Sequence, residues 1–335
     1  MIAFSCWYFE RKLTIEEVKD KIEKDRVKMS TNYSNITMDP IMSTNFEIEE
    51  LNYLDKQYKY LILNLKLDEV QETQLIIFSV NEQVFMNVLR GKNSVPKITK
   101  EYFDDTNWGS IKERIFNIDE DFLYWIFKSY IDTREIPIVE DKEIYVTGLK
   151  SYKGVVRDLG TSLKGHGERI CEILSTLAFL LNDDELKMVA PKLTYVTYTA
   201  DEKNSIHFSI YLTGTIRFDI CNYDGDLMNH EKYGIETEKM PYILSILISD
   251  YLMPQIIKGY RMAKKDNYWN SSIKRDFLRR VGIEIRIRVD NEIARLEEES
   301  MSDKQTVIDN STKESLKNDD IEAVEELIAE GALEN

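Results

Sequence analysis

Residues 193–223 read "LTYVTYTADEKNSIHFSIYLTGTIRFDICNY". Polar and apolar side chains alternate through "LTYVTYT", "IHFSIYLTG" and "TIRFDICNY", the period of two that sends successive side chains to opposite faces of a strand. The intervening "ADEKNS" and "TG" are turn sequences, so the three segments form an antiparallel meander. The class that follows is α+β: two mixed units with antiparallel sheets, then a largely helical C-terminal region.

Upstream of the meander, Ile170, Ile173, Leu174, Leu177, Ala178 and Leu181 recur at three-and-four spacing and predict a core helix. It is preceded by the strand "EIYVTGL" and by a glycine-rich stretch, Gly148–Arg169. A boundary at Asp132–Pro137 separates this second unit (138–300) from an N-terminal unit (1–135). In the N-terminal unit Thr14 and Glu17 form a capping box ahead of the helical spacing of Ile15, Val18 and Ile22. "YKYLILNLKL" and "TQLIIFSV" predict two strands. "NEQVFMNVL", "WGSIKERIF" and "DEDFLYWIFKSYI" predict helices.

Downstream, one long or broken helix is expected from Pro241 to about Lys265. The segment around 278–296 fits two patterns. Ile283, Ile285, Ile287 and Val289 alternate like a strand, whereas Leu278, Val281, Ile285, Val289, Ile293 and Leu296 fit a helical face. The helical pattern covers more residues, and the surrounding Glu, Arg and Ala favour it. Residues 301–335 are expected to hold an acidic linker followed by a docking helix.

The chain has 335 residues, 43% hydrophobic, which suffices for one large core or two ordinary ones. Its apolar runs, "ILSTLAFLL" and "YILSILISDYLMPQII", are short or interrupted by Asp250 and Pro254, so no membrane span is expected. The N-terminal "MIAFSCWYFERK" lacks a signal-peptide pattern, and action in the cytoplasm is expected. Cys6, Cys171 and Cys221 are far apart and form no CxxC pair, which argues against disulfides and zinc; each reads as a small buried side chain.

The net charge of −16 is unevenly spread. Residues 296–335 hold thirteen acidic and three basic side chains; residues 256–290 hold ten basic and four acidic. In the basic segment Lys258, Arg261, Lys264, Lys265, Lys274, Arg275, Arg279, Arg280, Arg286 and Arg288 interleave with Tyr260, Tyr268, Trp269 and Phe277. Cations for phosphates and aromatics for base stacking suit a nucleic acid. A solvated face paired with the protein's own acids fits the same residues.

In the glycine-rich stretch, Lys164, Gly165, Gly167 and Arg169 would offer cations and backbone N–H groups at a helix entry, a phosphate cradle. Glu168 opposes an anion there, and turns leading into a core helix explain the glycines as well. "RGKNS" at Arg90–Ser94 resembles a phosphate-binding loop only in part: Met86 stands where its first glycine would be, and it is expected to follow a helix. Asp219, Asp224, Asp226, His230 and Glu231 could gather around a cation, but their spacing matches no loop motif and Asp224-Gly225 is a common turn. No metal or cofactor is called for. His207, on an alternating strand, reads as a packed or surface residue.

Residues 316–335, "LKNDDIEAVEELIAEGALEN", resemble the opening half of an ankyrin repeat: a capped amphipathic helix carrying Ile321, Val324, Leu327 and Ile328, with Gly331 as the stop. Such repeats bury their apolar face only against stacked neighbours, so the resemblance implies a docking helix.

These readings lead to a binding protein without its own catalysis, taking a protein partner or a nucleic acid through residues 256–290. The alternative is a phosphate- or nucleotide-handling enzyme built on residues 148–169. A role as accessory to a mobile element or antiviral defence system is an association that rests on no residue. The sequence sets no oligomeric state.

Overall fold

The structure, a computed structural model, describes residues 1–32, 47–66, 72–103, 105–133, 135–155, 162–166, 185–197 and 200–298. The chain divides into two compact units, Met1–Leu278 and Arg279–Asn335. The expected break at 132–137 therefore lies inside the first unit. The fold is α+β.

Among the described residues the first unit has eleven strands: β1 (Ile2–Phe9), β2 (Glu49–Tyr53), β3 (Lys56–Lys66), β4 (Glu72–Val80), β5 (Gln83–Val88), β6 (Ile111–Glu113), β7 (Tyr145–Val155), β8 (Ser162–His166), β9 (Glu185–Thr197), β10 (Ala200–Tyr211) and β11 (Ile216–Asp224). Their order is β2-β3-β4-β5-β1-β11-β10-β9-β7-β8, with β6 alongside β1. Every pairing is antiparallel. β1 joins the halves: Ile2–Phe4 pair with β11, and Ser5–Tyr8 pair with β5. Strands on both sides of residue 135 thus belong to one sheet.

Over the N-terminal half lies α1 (Ile15–Asn32). Thr14 and Glu17 cap it reciprocally: Glu17 N–H donates to Thr14 Oγ1 (3.1 Å) and Thr14 N–H to Glu17 Oε2 (2.8 Å). Ile15, Val18 and Ile22 enter a core with Phe9, Leu61, Leu63, Leu75 and Met86. Burying each such side chain contributes about 1.5–3 kcal/mol.

Two expected helices are strands. "NEQVFMNVL" is β5, because Asn81 and Glu82 take positive φ (50° and 62°) and make a two-residue hairpin turn after Val80. Val84, Met86 and Val88 then alternate into the core. "WGSIKERIF" contains β6; Gly109 at φ 73° ends the short α3 (Asp105–Trp108), and Ile111–Glu113 add to β1. Between β5 and β6 also stands α2 (Val95–Tyr102). "RGKNS" therefore follows a strand and precedes a helix, contrary to expectation. Its other defect stands, since Met86 replaces the first glycine and Gly91 has an ordinary φ of −63°.

The helix expected at "DEDFLYWIFKSYI" is α4 (Glu120–Thr133), with Phe122 to Phe127 all buried. Helix follows at Thr237–Lys265, widening to π geometry over Leu247–Leu252. By length and composition this helix could cross a membrane, yet 83% of its most apolar window is buried in the protein. Asp250 does not break it, because its carboxylate meets Lys56 Nζ at 2.7 Å, Arg114 at 3.4 Å and the Tyr58 hydroxyl at 3.2 Å. Pro254 lies inside this helix, directly after the π turn; it has no N–H to donate, and the Asp250 carbonyl four residues earlier accepts instead from Lys56 Nζ at 3.2 Å.

Residues 271–298 are helical, so the alternation at 283–289 does not make a strand. The second unit is described only as its helix, 279–298. The expected core helix at 170–181, the linker at 301–315 and the ankyrin-like segment lie outside the described residues.

Candidate functional site

The expected sites are dispersed. Lys164 and Gly165 are in β8, paired with Lys153 and Tyr152 of β7, so they lie on a strand at the sheet edge and not at a helix entry. Gly167 and Arg169 lie outside the described residues.

In the basic segment, Trp269 is 1% exposed and its indole donates to Asp121 Oδ2 at 2.9 Å. Tyr260 is buried too, its hydroxyl donating to the same carboxylate at 2.8 Å. Lys264 and Lys274 approach Asp121 at 3.3 and 3.5 Å, and Lys258 reaches Asp141 at 3.1 Å. Burial alone would raise the Asp121 carboxyl, but these donors and cations outweigh it and hold it below the usual range. These cations pair with the protein's own acids, and three of the four aromatics, Tyr260, Trp269 and Phe277, are core. Tyr268, Arg261, Lys265 and Arg275 are exposed on the first unit, and Arg279 and Arg280 on the second.

The acids at 219–231 separate as well. Asp219 meets the N-terminal ammonium at 3.3 Å. Asp226 is buried and accepts from the hydroxyls of Tyr53 (2.7 Å), Thr197 (3.2 Å) and Tyr233 (3.1 Å), while Asn204 Oδ1 takes its backbone N–H at 2.7 Å. Among the described residues no His, Cys, Asp and Glu cluster could hold a metal ion.

A concave site lies elsewhere, on β7, β9, β10 and β11. Lys192 of β9 pairs laterally with Gly148 of β7 on one side and with His207 of β10 on the other. The approach at Gly148 is close: a Cβ there would stand 3.2 Å from Lys192 Cβ, tighter than ordinary van der Waals contact. Beyond His207 the ladder is bulged. Ile206 pairs with Tyr223 and Phe208 with Phe218, so His207 alone faces the four residues Asp219–Asn222. The extra residues re-aim the bulged strand, a device common at binding sites.

The result is a cleft of about 460 Å³. β7 contributes Thr147, Gly148, Leu149 and Lys150, and β9 contributes Lys192. Ser205 and His207 come from β10, Cys221, Asn222 and Asp224 from β11, and Tyr130 of α4 completes the wall. Away from the cleft lining, the buried Asp226 ties β2, β9 and the segment after β11 together through Tyr53, Thr197 and Tyr233.

Two lysines and a histidine set the cleft's electrostatics. Lys150 Nζ donates to Asn222 Oδ1 at 2.8 Å, which fixes its ammonium beside the bulge. Among the described residues neither Lys150 nor Lys192 has a carboxylate partner. His207 is half-buried; burial first, then Lys192 and Lys150, push its imidazole down from 6.5 to about 4. It is neutral at physiological pH. Its Nδ1 is shut off from solvent and has no hydrogen-bond partner among the described residues. Cys221 is exposed, contrary to the buried reading, and among the described residues no hydrogen bond joins it to His207.

Sequence reasoning missed this site, though it left one signal. Phe218 and Tyr223 are both buried but five positions apart, an odd spacing that strict alternation forbids and a bulge permits. No protein-family model matches the chain, and no curated protein matches it closely. The class therefore rests on the fold and the cleft: an α+β protein with an eleven-stranded antiparallel sheet and a cationic cleft on one part of it.

Proposed function

We propose that the chain is a binding protein whose ligand is a small organic anion, a phosphate ester or carboxylate, taken into the cleft around His207. The observation that carries this reading is a pair of cations, Lys150 and Lys192, in a concave site with no carboxylate partner among the described residues. Isolated surface lysines need no explanation. Two gathered beside a histidine that they help to keep neutral do, because their mutual repulsion is relieved when an anion enters.

The cleft's volume falls in the range of small-molecule pockets, about 300–1,000 Å³. Ser205, Thr147 and Asn222 add neutral hydrogen-bonding groups, and Leu149 and Tyr130 add apolar wall. Asp224 lines the cleft as a carboxylate and disfavours anions near it, so the anionic group is assigned to the side of Lys150 and Lys192. This reading keeps the phosphate chemistry expected of Gly148–Arg169 but moves it from a loop to the sheet.

Calorimetric titration with inorganic phosphate, a nucleoside monophosphate and citrate tests it. At least one should bind, and Lys150→Ala and Lys192→Ala should each weaken binding about tenfold or more, the worth of one charge-assisted hydrogen bond. No binding by the parent protein at millimolar anion, or equal binding by both variants, refutes the assignment.

A further inference from the structure

The cleft holds opposite charges that do not meet. Lys192 and His207 are level with each other on β9 and β10; one row along, Thr194, Ser205 and Asp224 are level on β9, β10 and β11. Residues 192 and 194, like 205 and 207, are two apart on their strands, so both rows face the same side of the sheet, about 7 Å from each other. On β11 the same step separates Asn222, which holds the Lys150 ammonium at 2.8 Å, from Asp224. The cations thus share one end of the cleft and the carboxylate takes the other. Asp224 is exposed, and among the described residues no ion pair or hydrogen bond occupies its side chain.

An ion pair closed inside the cleft would need nothing more. Held open by one step of the strands, the two charges are complementary to a ligand that carries both signs, whereas a plain anion leaves the carboxylate unanswered. A metal ion does not fit the acidic end. Hard cations take about six or more oxygen ligands, and Asp224 is the only carboxylate among the described residues that line the cleft. A primary amine does fit. Its ammonium donates up to three hydrogen bonds, which Asp224 and the Ser205 hydroxyl beside it can accept. Leu149 and Tyr130 on the wall suit a short carbon chain between the two groups.

Resting on the reading of the cleft as an anion site, we propose that its ligand is a small zwitterion, a phosphate or carboxylate joined through a short carbon chain to a primary amine. The anionic group lies on Lys150 and Lys192, and the ammonium on Asp224 and Ser205.

Calorimetric titration with two matched pairs tests this: phosphoethanolamine against ethyl phosphate, and γ-aminobutyrate against butyrate. Within a pair only the amine differs, and between pairs the anion does, so a phosphate ligand is told from a carboxylate. In at least one pair the amine-bearing member should bind about tenfold more tightly, the worth of one charge-assisted hydrogen bond. Asp224→Asn should remove that preference, whereas Lys192→Ala should weaken both members. Because Asp224 is exposed, the melting curve of Asp224→Asn should match the parent. Equal binding within both pairs, or a preference that survives Asp224→Asn, overturns the zwitterion and leaves the anion site standing. No binding of any of the four at millimolar concentration overturns it too; if inorganic phosphate and citrate also fail to bind, the anion site falls with it.

Discussion

The histidine in the cleft offers the sharpest test, because its protonation is tied both to stability and to ligand. In the folded protein His207 takes a proton only near pH 4, whereas in the unfolded chain it does so near 6.5. Lowering the pH through that window therefore favours the unfolded chain. The contribution is fully present above 6.5 and is lost as the pH falls towards 4. At about 1.4 kcal/mol per pH unit the ceiling near pH 5 is about 2 kcal/mol. Because His207 is half-buried, solvent screening reduces this to about 1 kcal/mol.

Urea unfolding of the parent and of His207→Gln at pH 7 and pH 5 isolates the effect, since all other groups titrate alike in both. The parent should lose about 1 kcal/mol more than the variant on going to pH 5. NMR titration of the imidazole should place its midpoint well below 6.5 and raise it when an anion occupies the cleft, since the anion offsets Lys192 and Lys150. Reciprocity then requires that protonation of His207 tighten the binding of an anion whose own charge is constant between pH 7 and pH 5. A midpoint at 6.5 in the free protein would refute the electrostatic account of the cleft.

Two further outcomes follow from packing. Gly259→Ala should destabilise the first unit by about 1–2 kcal/mol in denaturant unfolding, because a Cβ there runs into the Ile138 carbonyl oxygen and approaches Val139 Cγ2 at 3.2 Å. The overpacking outweighs alanine's better helix propensity, and an unchanged midpoint would show that the 138–139 segment yields freely. Asp226→Ala should cost about 3–5 kcal/mol, since it strands the hydroxyls of Tyr53, Thr197 and Tyr233 in the interior. A loss below 1 kcal/mol would mean that those hydroxyls find other acceptors.

Much of the fold was legible because one pattern, alternation through 193–223, is local. The capping box at Thr14 and Glu17 and the aromatic helix at Glu120–Thr133 were legible for the same reason. β5 was not. "NEQVFMNVL" fits a short helix as well as a strand, and its state is decided by β4 and β1 on either side. The cleft was hidden for a deeper reason: the row Gly148, Lys192, His207 depends on register across strands distant in sequence. Periodicity shows which face a residue takes but not its lateral neighbour. Trp269 misled similarly, because composition places it among cations and only packing reveals its bond to Asp121.

The pairing of β1 with β11 has a consequence for synthesis. Ile2 is synthesised more than two hundred residues before its partner Phe218. At about 5–20 residues per second, the nascent chain carries the β11 edge of Ile2–Phe4 unpaired for roughly ten to forty seconds. Phe4, fully buried in the finished protein, is open during that interval to any extended strand that comes by. The seam that unites the two halves of the sheet is thus the last to close and the place where premature association would begin.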